Sequence, residues 1–412
     1  MHSLPKFLFK KWQRSTQLIV LAIATISLLN SCSKKDDTIS TTTPTLTSTL
    51  NVTQVQKTWN EIDTIFLKYY PIFFRRNVNY DIQRANISNQ ITSSTTDIQL
   101  FEILKTFLNN TLKDNHTKIT FANQESTLAS NPTPLDEILK NITPNLINFV
   151  YPNNGDIISM GELKSNTNIG YIRANSFNYD KDIDTKVTAY KSFIDDKIKT
   201  YIATKSALII DLRENGGGLP GLATALASYF ISTDVRAYRQ RYKIKLTNDE
   251  SALSPWVDSP SNDFKGYQDS RESSGYAGSC TFEDDICKKN SSFYFGNKKI
   301  ILLVSVDTFS SGEVFTGILN SQSNVTIVGA TNTGGGISSF STLTLKTNNQ
   351  WKVQVSIHDA LVTTKAHPND ATVSVEGTGF TPDYKIPVTA TDVTANTDPH
   401  ITKAIQLITS IP

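Results

Sequence analysis

Apolar residues recur at steps of three and four from Val52 onward. Val52, Val55, Trp59, Ile62, Phe66 and Tyr69 fall on one face of a helix, and Ile98, Phe101, Leu104, Phe107 and Leu108 repeat the pattern. The spacing predicts a small helical region over residues 52–125, closing near "LKDNHTKITF". Beyond Gly161 the period changes. "NIGYIRANSF" reads as a short apolar strand, and Ile183, Val187, Tyr190, Ile194, Ile198 and Tyr201 then line a helical face. "ALIIDL", "KIILLVSV" and "VTIVGA" are continuous apolar runs, as expected of strands buried on both faces. A glycine-rich turn and the helix "LATALASYFI" follow the first of them, while "FSTLTLK" and "WKVQVSI" alternate and predict half-exposed strands. This order predicts an α/β core over residues 160–412 with parallel pairing in its middle. At about 243–297 the core is interrupted by a stretch rich in Ser, Asp, Gly and Asn with no period, read as an insertion near one edge.

The N-terminus stands apart from this pattern. "MHSLPKFLFKKWQR" is basic, an apolar run of ~12 residues follows, too short for the ~20 that cross a bilayer, and small residues precede Cys32. "LLNSC" resembles a bacterial lipobox, which implies a signal peptide over 1–31 and lipidation of Cys32; a plain signal peptide with a chance cysteine is the alternative. Residues 32–51 are Thr- and Ser-rich without apolar period and read as a tether. "KKDD" behind the cysteine resembles the charged signal that sends lipoproteins to the cell surface in some Gram-negative lineages. The expected location is an outer-membrane lipoprotein facing the periplasm or the cell surface.

A net charge of +2, with no basic block and no aromatic–basic stripe, excludes nucleic acid as the expected partner. Cys280 and Cys287 fall in "SCTFEDDIC", inside the insertion. In an oxidising compartment such a pair reads as a local disulfide; two thiols without a nearby His make only half a zinc site.

Candidate chemistry concentrates at three places. "VSVDTFSSGEVFTGIL" ends an apolar run in Ser310 and Ser311 and then turns helical, so either serine is a helix cap or one is a nucleophile. "DLRENGGG" follows a buried strand and precedes a helix, where glycine N–H groups stabilise negative charge. It lacks the Gly-Lys-Ser/Thr of a phosphate loop and is not GxGxxG. Of five histidines, His2 leaves with the signal, and His358, His367 and His400 sit at a strand end, in a polar loop and near the C-terminus. His116, in "LKDNHT", is the candidate base, with an ordinary hydrogen-bonded histidine as the alternative.

Together, "DNHT", "DLRENGGG", "SSGE" and the late "VEGTGFTPD", in this order and with "IGYIRANSF" between, resemble the tail-specific, or C-terminal-processing, serine peptidases. The likeness runs from about Trp59 to the C-terminus and is nearest to the branch holding the tricorn core and the interphotoreceptor retinoid-binding modules. It implies a crotonase-like (Clp-protease-like) β-superhelix core behind a helical N-terminal region. Three before Glu313 of the family's Ser-x-x-Glu, it implies Ser310 as nucleophile, with Ser311 N–H as one oxyanion donor and Gly216 or Gly217 as the other. The Lys of the Ser–Lys branch is replaced by Gly335, so the resemblance implies the other base, His116, oriented by Glu376 directly or through a neighbour. Asn115 stands where the tricorn pattern has a bridging Ser. Asp211 and Arg213 read as a structural charge pair, and Lys365 as an amine without favourable spacing. No stretch suits the PDZ module that many relatives carry.

The expected protein is a lipid-anchored serine endopeptidase acting on peptide or protein substrates, with no metal or organic cofactor implied and the oligomeric state left open. A non-catalytic module binding peptides or apolar ligands on the same fold is the rival, and an esterase or transacylase with the same triad is a third reading.

Overall fold

The computed structural model describes residues 52–127, 132–151, 158–178, 186–256, 286–287, 295–296, 298–368 and 370–410. Cys32, Cys280, the signal, the tether and most of the insertion lie outside the described residues. Cys287 is described only as part of a two-residue strand, paired opposite Val235.

The N-terminal region is helical, as its pattern predicts. Helix α1, Val52–Tyr69, buries Val55, Trp59, Ile62, Phe66 and Tyr69. Helix α2, Tyr80–Gln90, escapes the sequence pattern because only Tyr80 and Ile87 are buried, too few to write a period. Helix α3, Asp97–Thr106, starts at a capping box in which Thr96 and Gln99 satisfy each other's backbone N–H groups. Phe66, Phe73, Tyr80 and Phe107 pack the region together, with the Phe73 and Tyr80 rings stacked at 4.3 Å. The chain leaves α3 through a wide turn, Phe107–Leu112, and reverses at Lys113, φ 53°. This reversal delivers Asp114–His116 into the strand Lys118–Phe121.

The core is a seven-stranded sheet. From one edge its strands are Tyr384–Lys385, Val325–Gly329, Ile300–Val304, Ala207–Asp211, Asn166–Ala174, Ile158–Leu163 and Ile147–Tyr151. The first five run parallel and the last two antiparallel. Ala207–Asp211 and Ile300–Val304 are buried along their whole length, as their unbroken apolar runs require. The antiparallel pair at the far edge lies where the sequence pattern assigns no strands. A second sheet orders Phe340–Thr344, Trp351–Ser356, Lys118–Phe121 and Gln124–Glu125, all antiparallel.

Registry in the parallel sheet positions the chemistry. Ile300 pairs with Leu208 and Leu303 with Asp211, so the two strands end in step. The glycine turn after Asp211 and the serines after Val304 therefore emerge side by side at the carboxyl ends of neighbouring parallel strands, where α/β sheets place ligands.

Candidate active site

Ser310 sits immediately before the helix Ser311–Asn320 with φ 55° and ψ −123°, and its hydroxyl caps nothing. A residue with a Cβ is strained there by about 1–3 kcal/mol, and the surroundings hold it. Ser310 N–H donates to Gly336 O at 2.8 Å, and Phe309 N–H to Asn215 O at 2.9 Å. The glycine turn lies directly against it. A Cβ on Gly217, φ 99°, would stand 2.5 Å from Ser310 Cβ and 3.0 Å from its Oγ, so only glycine leaves the hydroxyl its space. The buried Ser311 hydroxyl donates to Gly218 O at 2.6 Å and clamps the turn to the helix rather than capping it.

The backbone donors divide. Ser311 N–H, at the first helical position, and Gly216 N–H have no acceptor among the described residues. Gly217 N–H is committed to Asn215 Oδ1 at 2.9 Å. An Asx turn of this kind is legible in "ENGGG", where an Asn stands two before the glycine, and it is the local signal that separates the two donors.

His116 is buried, its ring 4.4 Å from that of Phe309 and 5.5 Å from that of Phe340. Phe309 thus carries Ser310 on its C-terminal side and the His116 imidazole against its ring. No hydrogen bond joins Ser310 to His116 in this state, and His116 Nδ1 is sealed from solvent without a partner. Such bonds often tighten only when substrate arrives. Burial holds the imidazole down to about 4, with Arg76 and Lys118 adding to the effect against the pull of Asp114. At neutral pH it is unprotonated.

No hydrogen bond or ion pair joins Glu376 to His116. One oxygen accepts Ile337 N–H and Ser338 N–H, both at 2.9 Å, and the other accepts Arg76 Nη2 at 2.8 Å. Asn115 is exposed and bridges nothing. The carboxylate that meets the His116 segment is Asp114, which accepts His116 N–H at 3.0 Å, Thr117 Oγ1 at 2.8 Å and Ser356 Oγ at 2.7 Å. Neither Asp114, inside "DNHT", nor Arg76 carries a local signal in the sequence that marks this role.

Glu313, one helical turn past Ser310 and fully buried, accepts Thr333 Oγ1 at 2.5 Å, Gly335 N–H at 3.0 Å and Gly336 N–H at 2.6 Å. It ties the helix that follows Ser310 to the loop that receives Ser310 N–H. Gly335 in that loop has φ 72°, and a Cβ there would stand 2.9 Å from Thr378 N and 3.0 Å from Gly379 N. No side chain, lysine included, fits unless residues 377–379 move. Lys365 is exposed and pairs with Asp383. Asp211 and Arg213 form a buried pair at 2.6 Å, as read from the sequence.

Burial pushes both Glu313 and Glu376 up to about 7. In the unfolded chain they ionise near 4.5, so between these values the folded state binds more protons. Their contribution to stability is complete below about 4.5 and is lost as pH rises through 7. His116 and His400 are shifted the other way, and below about 6.5 protons bind preferentially to the unfolded chain at these two. Lys243, held down to about 8 by burial, opposes the gain in the same window, so thermal unfolding is expected to show a gain of less than about 1 kcal/mol from pH 8 to 6.5 that ceases below 6.5. Glu376→Gln should abolish it, because the second glutamate's gain is offset by the two histidines. A parent stability that falls steadily over that interval contradicts the assignment.

The family model for peptidase family S41 matches residues 168–386. Among solved structures, a candidate peptidase from Parabacteroides merdae superposes with a TM-score of 0.64 at 18% identity, covering 88% of this chain and 98% of its own. Mature CPAF complexed with lactacystin superposes with a TM-score of 0.61 at 12% identity, covering 87% of this chain and 98% of its own. These likenesses are of fold. No curated protein sequence matches the chain.

Proposed function

The chain belongs to peptidase family S41 and is a serine-type peptidase, and from its site we propose that it cuts peptide bonds through an acyl-enzyme on Ser310 with His116 as base. The observation that carries this reading is Ser310 itself: a strained residue between two in-step parallel strand ends, its hydroxyl uncommitted, with a free N–H at Ser311 and an imidazole one aromatic ring away.

In the proposed reaction His116 takes the Ser310 proton as Oγ attacks the scissile carbonyl carbon. Negative charge gathers on the carbonyl oxygen, where Ser311 N–H and one N–H of the glycine turn receive it. Gly216 N–H can serve directly; Gly217 N–H can serve only after releasing Asn215. His116 then passes its proton to the leaving amine as the C–N bond breaks. A water, deprotonated by the same imidazole, frees Ser310 by attacking the acyl carbon.

Disconnection of His116 from Glu376 favours one rival, a binding module on the same fold. Incubating the chain from Thr47 onward with denatured protein substrates, and sequencing new termini by mass spectrometry, separates the two. Cuts absent from a Ser310→Ala preparation support hydrolysis; binding without cuts supports the module.

We further propose attachment to the outer membrane through a lipidated Cys32, on the strength of the "LLNSC" pattern; among the described residues no helix is long and apolar enough to cross a membrane. Metabolic labelling with a palmitate analogue should mark the full chain and vanish in Cys32→Ser, whereas unchanged labelling would place the lipid elsewhere.

A further inference from the structure

Arg76 ends a short turn, Phe74–Arg76, and Asn77 at φ 53° turns the chain away behind it. Its side chain is 4% exposed. Nη1 donates to Lys113 O at 2.6 Å, and Nη2 to Gly335 O at 3.0 Å and Glu376 Oε2 at 2.8 Å. Nη2 also lies 3.5 Å from Asp114 Oδ1. One guanidinium thus joins the helical region, the segment presenting His116, the glycine loop that fixes Ser310, and the turn carrying Glu376.

We propose that Arg76 is a positioning residue of the hydrolytic site, pairing with Glu376 and Asp114 beside His116 and locking the Gly335 loop under Ser310. This rests on the reading of Ser310 and His116 given above.

Three observations carry it. First, the guanidinium packs on the loop beneath Ser310: Nη2 donates to Gly335 O, and the next residue, Gly336, lies within contact reach of Nη2 while a Cβ on it would meet the Phe309 ring at 2.5 Å. Second, Arg76 reaches the backbone of Gly335, at the position where the Ser–Lys relatives carry their amine. A cation is thus kept in the neighbourhood, but one that cannot give up its proton and so cannot be the base. Third, two buried carboxylates converge on it, and a carboxylate left without its cation in such a place is driven to its neutral form.

The charged and titratable groups around Arg76 are Asp114, Tyr70 and Glu376. His116 feels Asp114, Arg76 and Lys118, and Glu313 feels Glu376. Removing the Arg76 charge relieves His116 of a neighbour that opposes its protonation, and makes ionised Glu376 and Asp114 harder to maintain. Asp114 keeps its hydrogen bonds from Thr117 and Ser356, so the loss of the Arg76 charge on His116 moves the acid limb of the reaction to higher pH.

The test is the rate at which a fluorophosphonate labels Ser310 from about pH 3 to 9 in the parent, Arg76→Gln and Arg76→Lys, with a melting curve for each. Arg76→Gln keeps donors and loses the charge; it is expected to label about a hundred-fold more slowly at pH 7, with its acid limb displaced upward. Arg76→Lys keeps the charge and loses the planar fork; it is expected to hold the limb in place at a rate roughly ten-fold below the parent. Folded variants with the parent's rate and limb overturn the proposal, as does a folded Arg76→Lys indistinguishable from the parent if Arg76→Gln fails to fold. An unlabelled parent overturns the reading of Ser310 and this proposal with it, an outcome distinct from a labelled parent with unaffected variants.

Discussion

Ser310→Ala is expected to lose roughly 10⁴- to 10⁶-fold in kcat/KM while remaining folded. The hydroxyl makes no cap and no other bond, so its removal leaves no partner stranded. Alanine carries the same Cβ into the same strained conformation, so stability should change little. Melting temperature and peptide hydrolysis, measured on one preparation, check both halves. His116→Ala should cost a comparable factor, and the double variant little more than either single change, because nucleophile and base act as one unit. Losses that multiply would mean that the two residues act separately.

Arg213→Met is expected to cost about 3–5 kcal/mol, a large part of a typical domain's total. Arg213 is fully buried; its Nε and Nη2 hold Asp211 at 2.9 and 2.6 Å, and its Nη1 holds Asp398 at 3.0 Å. Both carboxylates have other work. Asp211 accepts the Tyr171 hydroxyl at 2.7 Å, and Asp398 caps the helix Pro399–Thr409 while accepting Thr143 Oγ1 at 2.7 Å. Methionine fills much of the volume but leaves two buried charges without their cation. Asp211, held down to about 2 against the penalty of burial, would lose the neighbour chiefly responsible. Urea unfolding of parent and variant measures the loss. Arg213→Met combined with Asp211→Asn should recover part of it, whereas additive losses would contradict the ion-pair account. Damage should also reach the site, because Arg213 O accepts Ser305 Oγ and the following residues form the turn beneath Ser310.

What the sequence made legible follows from how each feature is encoded. "ALIIDL" and "KIILLVSV" are unbroken apolar runs that can only be buried strands, and the residues ending them must meet if the strands are parallel neighbours. That logic, with the resemblance, placed Ser310 beside the glycine turn. The position of His116 came from the resemblance alone, since nothing local in "LKDNHT" says that Phe309 will pack on the ring. Arg76 was out of reach: "FFRRNVNY" has no period, and the partners Gly335 and Glu376 lie 259 and 300 residues away. The sequence likewise allowed Glu376 to orient the imidazole, and could not reveal that Arg76 and two N–H groups had occupied its oxygens. Gly335 was readable as a missing lysine. That its φ and the crowding of residues 377–379 forbid any side chain required coordinates.

The most direct test of the account is to treat the chain from Thr47 onward with a fluorophosphonate, read the intact mass, and map the labelled peptide in parent and His116→Ala. The account predicts one adduct per chain, on Ser310, formed by the parent and at least a thousand-fold more slowly by His116→Ala. An adduct on another serine, or equal labelling of the two proteins, would contradict it.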